Sequence, residues 1–261
     1  MQNDIPAAPC GGKQGPQKPL PLKAAEMGNP RLDDEDCLGE MPRRWYGYGR
    51  WDAPYWFIGP EPGMDPGGRH GLKARCEAWL RLGGDELVDC RDHHFEFTCY
   101  LYHREDPRPR TNPTWRQLIR FLLACTDPDA PNIEDIRKYQ QKRWGMKDGQ
   151  TCLIELSPLA KAKLVGPVKH GLVLEERIEI IRRRIHQHNP KLVVMYGVLQ
   201  RAHWEKIAGQ AFPPDGILCV GSTLAVFAKA PTTHGLQNSY WVDLAKKVRD
   251  HSSIGPCPGD S

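Results

Sequence analysis

Apolar and polar positions form two patterns along the chain: short apolar runs, and longer stretches with helical spacing. Apolar runs of about four to seven residues, bounded by Gly, Pro or Asn, are typical of buried strands. Stretches in which apolar residues recur every three or four positions are typical of helices. These patterns predict strands at residues 55–59, 151–156, 191–197, 217–220 and 224–228, and helices at 72–82, 114–125, 133–144, 175–188, 202–208 and 240–251.

The alternation of these elements predicts the fold class. Strands that are almost wholly apolar and are separated by helices are typical of a parallel sheet covered on both faces. We therefore expect an α/β protein, a three-layer α/β/α sandwich with a central, mostly parallel sheet. In such sheets ligands bind beyond the carboxyl ends of the strands.

The two ends of the chain differ from its middle. Residues 1–42 are rich in Pro, Gly, Lys and Asp with little apolar periodicity, which predicts a disordered tail, and residues 252–261 are similar. A single domain is expected at 43–251, with a helical insertion at about 64–150.

No run approaches the ~18 apolar residues of a membrane span, and the N-terminus lacks the apolar core of a signal peptide. We expect a cytoplasmic protein without membrane contact.

Cysteine spacing and charge narrow the function classes. The nine cysteines include no C-x-x-C pair, which argues against a zinc ribbon, an iron–sulfur cluster or a secreted disulfide framework. They are interpreted as reduced thiols, and His93 and His94 as surface residues on a loop, so no metal or cofactor is expected. The net charge of +4 and the uneven clusters of Lys and Arg suit a basic face for nucleic acid, although such charge runs are more often a solvated surface.

Three of the predicted strands end in polar loops, which read GPEPGMDP (59–66), ELSPLAKAK (155–163) and KAPTTHGLQNSYW (229–241). Each loop contains a proline that stiffens it and one group able to do chemistry: Glu61, Glu155 and His234, respectively. The fourth strand end, Tyr196-Gly197, offers little chemistry. The chain has no G-x-G-x-x-G, G-x-x-x-x-G-K-[ST] or G-x-S-x-G, so dinucleotide, P-loop and serine-hydrolase sites are excluded.

The order of these loops resembles the uracil-DNA glycosylase superfamily over roughly residues 50–250. Its members carry motifs similar to G-M-N-P-G, N-x-x-P-L and H-P-S, followed by Trp or Phe. The corresponding stretches here are Gly59 to Gly63 (GPEPG), Glu155 to Leu159 (ELSPL), and Ala230 to Thr232 (APT), with Trp241 beyond. The resemblance implies an enzyme that flips a base out of double-stranded DNA and hydrolyses its N-glycosidic bond without a cofactor.

The departures from the family motifs suggest the substrate. Glu61 takes the place of the residue that positions water and stabilises the oxocarbenium-like sugar. Glu155 replaces the Asn that reads uracil, and an ionised Glu would be repelled by uracil O4. A buried, protonated Glu can donate to cytosine N3 while accepting from its amine. Ala230 stands where many members have His, so His234 is expected to act in its place as an electrophile or a phosphate contact.

The resemblance also assigns the remaining contacts. Gly59, Pro60 and Phe57 are expected to line the base pocket, and the stacking ring is left open among Phe57, Trp79 and His70. Contacts to DNA are expected from Lys161, Lys163, Thr232, Thr233, Leu236 and Gln237, with Leu236 or Gln237 as the wedge that fills the space of the flipped base.

An enzyme that removed ordinary cytosine would destroy its own genome, so a modified cytosine is the expected target. Bacterial antiviral glycosylases that the sequence resembles act on glucosylated 5-hydroxymethylcytosine in phage DNA. We therefore expect a monomeric glycosylase for that base. Two alternatives stay open: a repair glycosylase for uracil or mismatched pyrimidines, and a catalytically inactive member that only binds DNA.

Overall fold

The computed structural model describes residues 34–61, 69–97, 103, 110–127, 131–157 and 170–253. The expected tails at 1–42 and 252–261 therefore lie largely outside the described residues. Where the first of them is described, the chain forms a helix from Asp34 to Arg44, and the Met41 side chain is buried. The folded part therefore begins earlier than predicted, because a Pro within this helix and its polar composition hide the pattern.

The helices are α1 (Asp34–Arg44), α2 (Arg69–Arg81), α3 (Cys90–Glu96), α4 (Pro113–Thr126), α5 (Ile133–Lys142), α6 (His170–His188), α7 (Arg201–Ala208) and α8 (Asn238–Ser253). The strands are β1 (Gly47–Tyr48), β2 (Tyr55–Gly59), β3 (Leu87–Val88), β4 (Thr151–Glu155), β5 (Leu192–Tyr196), β6 (Ile217–Val220) and β7 (Thr223–Ala228). All of the predicted elements are present with small shifts of their ends, and α6 begins five residues before its predicted start at 175.

The described strands form one seven-stranded sheet in the order β3-β1-β4-β2-β5-β7-β6. β4, β2, β5 and β7 run parallel, which confirms the α/β class. The sheet as a whole is mixed, because β1 is antiparallel to β4 and β6 is antiparallel to β7. Only Gly221 and Ser222 separate β6 from β7, and a two-residue connection can join antiparallel strands alone.

Alternate side chains of the central strands enter two separate cores. Phe57 and Val194 lie in the core built with α4, α5 and α8, whereas Trp56 and Val193 lie in the core built with α6 and α7. Both faces of the sheet are therefore buried, which explains why these strands are continuously apolar.

Besides α1, the two short strands β1 and β3 and the helix α3 were not predicted, because their sequences carry little periodicity. β1 and β3 have two residues each, too few to show a pattern. The α3 sequence CRDHHFE has no apolar stripe, and this helix begins where the Asp89 carboxylate accepts hydrogen bonds from the amides of Arg91 and Asp92.

The described helices include none that is long and apolar enough to cross a membrane. The expectation that the cysteines are reduced holds for Cys90, Cys125 and Cys152, which are free thiols. It is wrong for Cys76 and Cys219, which are disulfide-bonded.

Candidate functional site

The four parallel strands end in one row across the sheet. Glu155 on β4 pairs with Gly59 on β2, and Tyr196 on β5 pairs with Ala228 on β7. The β2–β5 register, in which Ile58 pairs with the residue before Tyr196, places Gly59 beside Tyr196. Residues in register on parallel strands point to the same face, so the Glu155 and Tyr196 side chains flank Gly59, which has none.

The loops after β2 and β4 remain paired beyond the strands. The Leu156 amide donates to the Gly59 carbonyl at 2.8 Å, and the Ser157 amide donates to the Pro60 carbonyl at 2.9 Å. These bonds hold the half-buried Glu61 close to Glu155. These two carboxyl groups were expected at one edge of the sheet, and the structure brings them together.

The row also coincides with a change in direction of the chain. From β2 the chain crosses to β4 on one side, and from β4 it crosses back to β5 on the other side of β2. Such switch points leave a crevice at the carboxyl ends of the strands, which is where ligands bind in α/β sheets. Here the switch point lies at Gly59, which has β4 on one side and β5 on the other.

Glu155 carries the most unusual electrostatics in this row. Its Oε2 atom is buried and has no hydrogen-bond partner within the described residues. Burial raises the pKa of Glu155 to about 8, and the negative charge of Glu61 adds to the rise, while the positive charges of Arg75 and Arg177 oppose it. The carboxyl group is therefore mainly protonated at neutral pH, so it can offer an O–H donor to a ligand.

Arg177 of α6 fixes the backbone under Glu155. This buried side chain donates to the carbonyls of Glu155 and Leu156 at 2.7 and 2.8 Å. It also donates to the carbonyls of Pro42 and Trp45, each at 3.0 Å. Four carbonyl acceptors satisfy the guanidinium, so it holds the end of β4 in place without forming an ion pair with the Glu155 carboxyl.

Tyr196 is a functional candidate that the sequence analysis missed. A Cβ atom at position 59 would collide with the Tyr196 hydroxyl, so the phenol ring occupies the space above Gly59. Burial and the charge of Glu155 raise its pKa well above the usual value, so the hydroxyl stays protonated and available as a donor. A Tyr at the carboxyl end of an otherwise aliphatic strand was the available signal.

The loop after β7 begins beside Tyr196 and is open to solvent. His234, Thr232, Thr233 and Gln237 are exposed, as the expected DNA contacts require. Leu236 is only half-exposed and packs against the core, so it is poorly placed to act as a wedge.

A different apolar side chain stands free at this edge. Leu199, in the turn of 3₁₀-helix from Val198 to Gln200, is 87% exposed, and Val198 is 55% exposed. This turn follows Gly197 directly, and the Gly197 amide donates to the Ala228 carbonyl at the end of β7. Two exposed aliphatic side chains therefore lie beside the crevice.

The remaining predicted site residues either lie in the core or are not among the side chains that the structure describes. Lys161 and Lys163 lie outside the described residues. Phe57, two residues before Gly59 on β2, is buried in the core and packs against Trp144, with 4.9 Å between the ring centroids. Trp79 is also buried in the core, and the side chain of His70 is not among those described. Among the described rings, Tyr196 lies at the end of β5, and Tyr240 lies beside the end of β7, where its hydroxyl accepts from the Lys229 amide at 3.0 Å.

A second polar cluster lies on the same side of the sheet as Glu155. The prediction that His93 and His94 are surface residues is wrong, because both are buried, as are Cys90 and His103. Burial lowers the pKa of His93 and of His103 to about 4 and raises the pKa of the Cys90 thiol, to which the charge of Glu155 also contributes. Adjacent histidines in a polar stretch gave no apolar pattern, so the sequence did not indicate this burial.

No protein-family model matches the chain, and no curated protein matches it.

Proposed function

We propose that this protein is a DNA glycosylase that removes a modified cytosine, with glucosylated 5-hydroxymethylcytosine of phage DNA as its substrate. The observation that carries the proposal is the buried Glu155 carboxyl group, whose Oε2 has no partner among the described residues, at the switch point of the sheet. The order of the strand-end motifs, which resembles that of the uracil-DNA glycosylase superfamily, supports the same function.

A protonated Glu155 is complementary to cytosine. Its O–H donates to N3 of cytosine, and its carbonyl oxygen accepts from the exocyclic amine. Uracil, with a donor at N3 and an acceptor at position 4, pairs with the same group when the two carboxyl oxygens exchange roles, so the DNA comparison below distinguishes the two bases. A hydrogen bond to N3 also draws electron density out of the ring and makes cytosine a better leaving group.

Glu61 and Tyr196 act on the sugar side of the crevice. Cleavage of the bond between C1′ and the base leaves the bonding electron pair on the base and an oxocarbenium-like sugar. A carboxylate at Glu61 stabilises this cation and orients the water whose oxygen joins C1′. One water proton goes to the departing base and the hydroxyl stays on the sugar, so an abasic site remains. The Tyr196 hydroxyl, as a neutral donor, suits an oxygen of the nucleotide.

The exposed edge suits the approach of a DNA duplex. His234, Thr232, Thr233 and Gln237 offer donors to phosphate oxygens. Leu199 replaces Leu236 as the wedge in this proposal, because an exposed aliphatic side chain beside the crevice can fill the gap left by the flipped base.

The deciding experiment compares DNA substrates that differ only in the cytosine. The protein is incubated with phage DNA carrying plain, hydroxymethylated or glucosylated cytosine, and with uracil-containing DNA, and abasic sites are detected by strand cleavage in alkali. We expect cleavage of the glucosylated DNA, loss of this activity in Glu61→Gln, and normal activity in Glu176→Gln, an exposed glutamate on α6.

Each other result selects a different function. Cleavage of uracil DNA alone would replace the proposal with a general repair glycosylase. DNA binding that Glu61→Gln leaves unchanged, with no base released from any substrate, would identify a binding protein. Full activity of Glu61→Gln would remove Glu61 from the mechanism.

A further inference from the structure

Three potential metal ligands converge in the buried cluster next to β1. Cys90 and His94 lie four residues apart on one face of α3, and His103 reaches them from the chain that follows this helix. The Cys90 sulfur lies 3.3 Å from Nδ1 of His94 and 3.7 Å from Nε2 of His103. The three ligand atoms all lie within 4.8 Å of one another.

These separations match tetrahedral zinc. With Zn–S near 2.3 Å and Zn–N near 2.0–2.1 Å, tetrahedral angles place a sulfur and a nitrogen ligand about 3.5 Å apart. The two observed separations, 3.3 and 3.7 Å, lie on either side of that value. The separation between the Cys90 sulfur and each imidazole nitrogen is therefore the one that a shared zinc ion requires.

The donor set selects the class of metal. One thiolate with two imidazoles is a soft to borderline combination that suits zinc and disfavours magnesium and calcium, which bind oxygen ligands. All three side chains are buried, so the ion would be shielded from bulk solvent, which suits a structural role. We propose that Cys90, His94 and His103 bind one structural zinc ion, with the fourth position taken by water.

One contact in the cluster favours the metal-free form. Nδ1 of His94 also lies 2.6 Å from the Cys90 carbonyl oxygen, a hydrogen bond that requires a proton on Nδ1. Zinc requires the other tautomer, in which Nε2 carries the proton, and it also removes the thiol proton from Cys90. Zinc binding therefore exchanges a local hydrogen-bond network for three coordinate bonds.

The neighbouring residues give the ion a structural effect. Asp89 precedes Cys90 and caps α3, and its second carboxylate oxygen accepts from the Lys147 amide at 2.9 Å. The Cys90 amide donates to the Gly145 carbonyl at 3.0 Å. The first turn of α3 is therefore hydrogen-bonded to the segment that precedes β4, the strand that carries Glu155. A zinc ion would connect His103 to this same turn.

Metal content tests the proposal directly on the full-length protein. We expect one zinc per chain by elemental analysis after purification without added metal, and loss of this zinc in Cys90→Ser. Cys125→Ser is the matched control, because Cys125 is also a free thiol but lies on α4 outside the cluster. Equal zinc content in the two variants would overturn the assignment.

Cobalt substitution keeps the test decisive if Cys90→Ser fails to fold. Wild-type protein stripped of metal and loaded with Co²⁺ should show the intense visible bands of tetrahedral cobalt and a thiolate-to-cobalt charge-transfer band. His103→Cys should keep the metal and strengthen the charge-transfer band, because it adds a second thiolate. Wild-type protein that takes up neither metal, or a His103→Cys spectrum identical to wild type, would refute the site. Neither readout depends on glycosylase activity, so the two proposals succeed or fail separately.

Discussion

At the scale of single residues, the site depends on the absence of a side chain. Gly59 lies between Glu155 and Tyr196 in the row of strand ends, and the Tyr196 ring uses the space that a Cβ atom would fill. No other residue at position 59 allows the ring to remain where it is. The glycine therefore determines how closely a hydroxyl approaches the carboxyl group.

Gly59→Ala is expected to destabilise the protein by about 1–3 kcal/mol, because the added methyl group overpacks against the phenol ring. Urea unfolding measures the change in the free energy of unfolding. Gly39→Ala is the control, since a Cβ at position 39 in α1 meets nothing within 4 Å. The cost of Gly59→Ala should shrink in a Tyr196→Leu background, and an unchanged cost there would exclude the contact as its cause.

Leu199→Ala is expected to reduce base release from duplex DNA by about tenfold, because the unstacked duplex loses the side chain that fills its gap. Release from a single-stranded substrate should change little, since no partner base has to be separated. Ile133→Ala, at an exposed aliphatic position on α5, is the control. Equal losses on the two substrates would show that Leu199 does not act as a wedge.

At the scale of elements, one arginine joins three parts of the fold. Arg177 on α6 binds carbonyls at the end of β4 and also those of Pro42, near the end of α1, and of Trp45 just beyond it. Its guanidinium also lies over the Tyr46 ring, 4.1 Å from the ring centroid. The position of Glu155 therefore depends on a helix and on a segment far away in sequence.

Arg177→Met is expected to cost about 3 kcal/mol or more, because it leaves buried carbonyls without donors. Arg183→Met, at an exposed position on the same helix, should stay within about 0.5 kcal/mol of wild type. Arg177→Lys keeps the charge but cannot reach four acceptors, so it should also be destabilising. If Arg177→Lys matched wild type in thermal unfolding, the charge alone would account for the role of Arg177.

The elements also show what the sequence can predict. The central strands and long helices were predicted because their apolar spacing spans several turns or a whole buried strand, and the carboxyl-end rule placed Glu61 near Glu155. Tyr196 was set aside because a Tyr at the end of an apolar strand does not show by itself that its ring lies over a glycine on the neighbouring strand. The Cys90, His94 and His103 cluster was missed because its members become neighbours only through tertiary packing.

At the scale of the whole molecule, Glu155 makes stability depend on pH. Its pKa rises from 4.5 to about 8 on folding, so the folded chain holds this proton more tightly than the unfolded chain. The resulting stabilisation is fully present below about pH 4.5 and is lost as the pH rises through about 8. The slope is at most about 1.4 kcal/mol per pH unit.

Glu155→Gln isolates this contribution, because the amide is neutral at every pH. The free energy of unfolding of the wild type, minus that of Glu155→Gln, should fall steadily as the pH is raised across this window, as measured by urea unfolding. Parallel curves would contradict the raised pKa. Base release by the wild type should likewise decline as the pH passes about 8, whereas Glu155→Gln should lack this decline.

The row of strand ends has a consequence for how such a protein changes over generations. Main-chain hydrogen bonds set the backbone spacing of Glu155, Gly59, Tyr196 and Ala228, so exchanging the side chain of Glu155 alters the chemistry at that point and leaves the backbone distances intact. A single codon change at position 155 can then alter which ligand is bound while the neighbouring positions keep their roles. This edge of the sheet can therefore acquire a new ligand through a single substitution at position 155, which suits selection for new substrates.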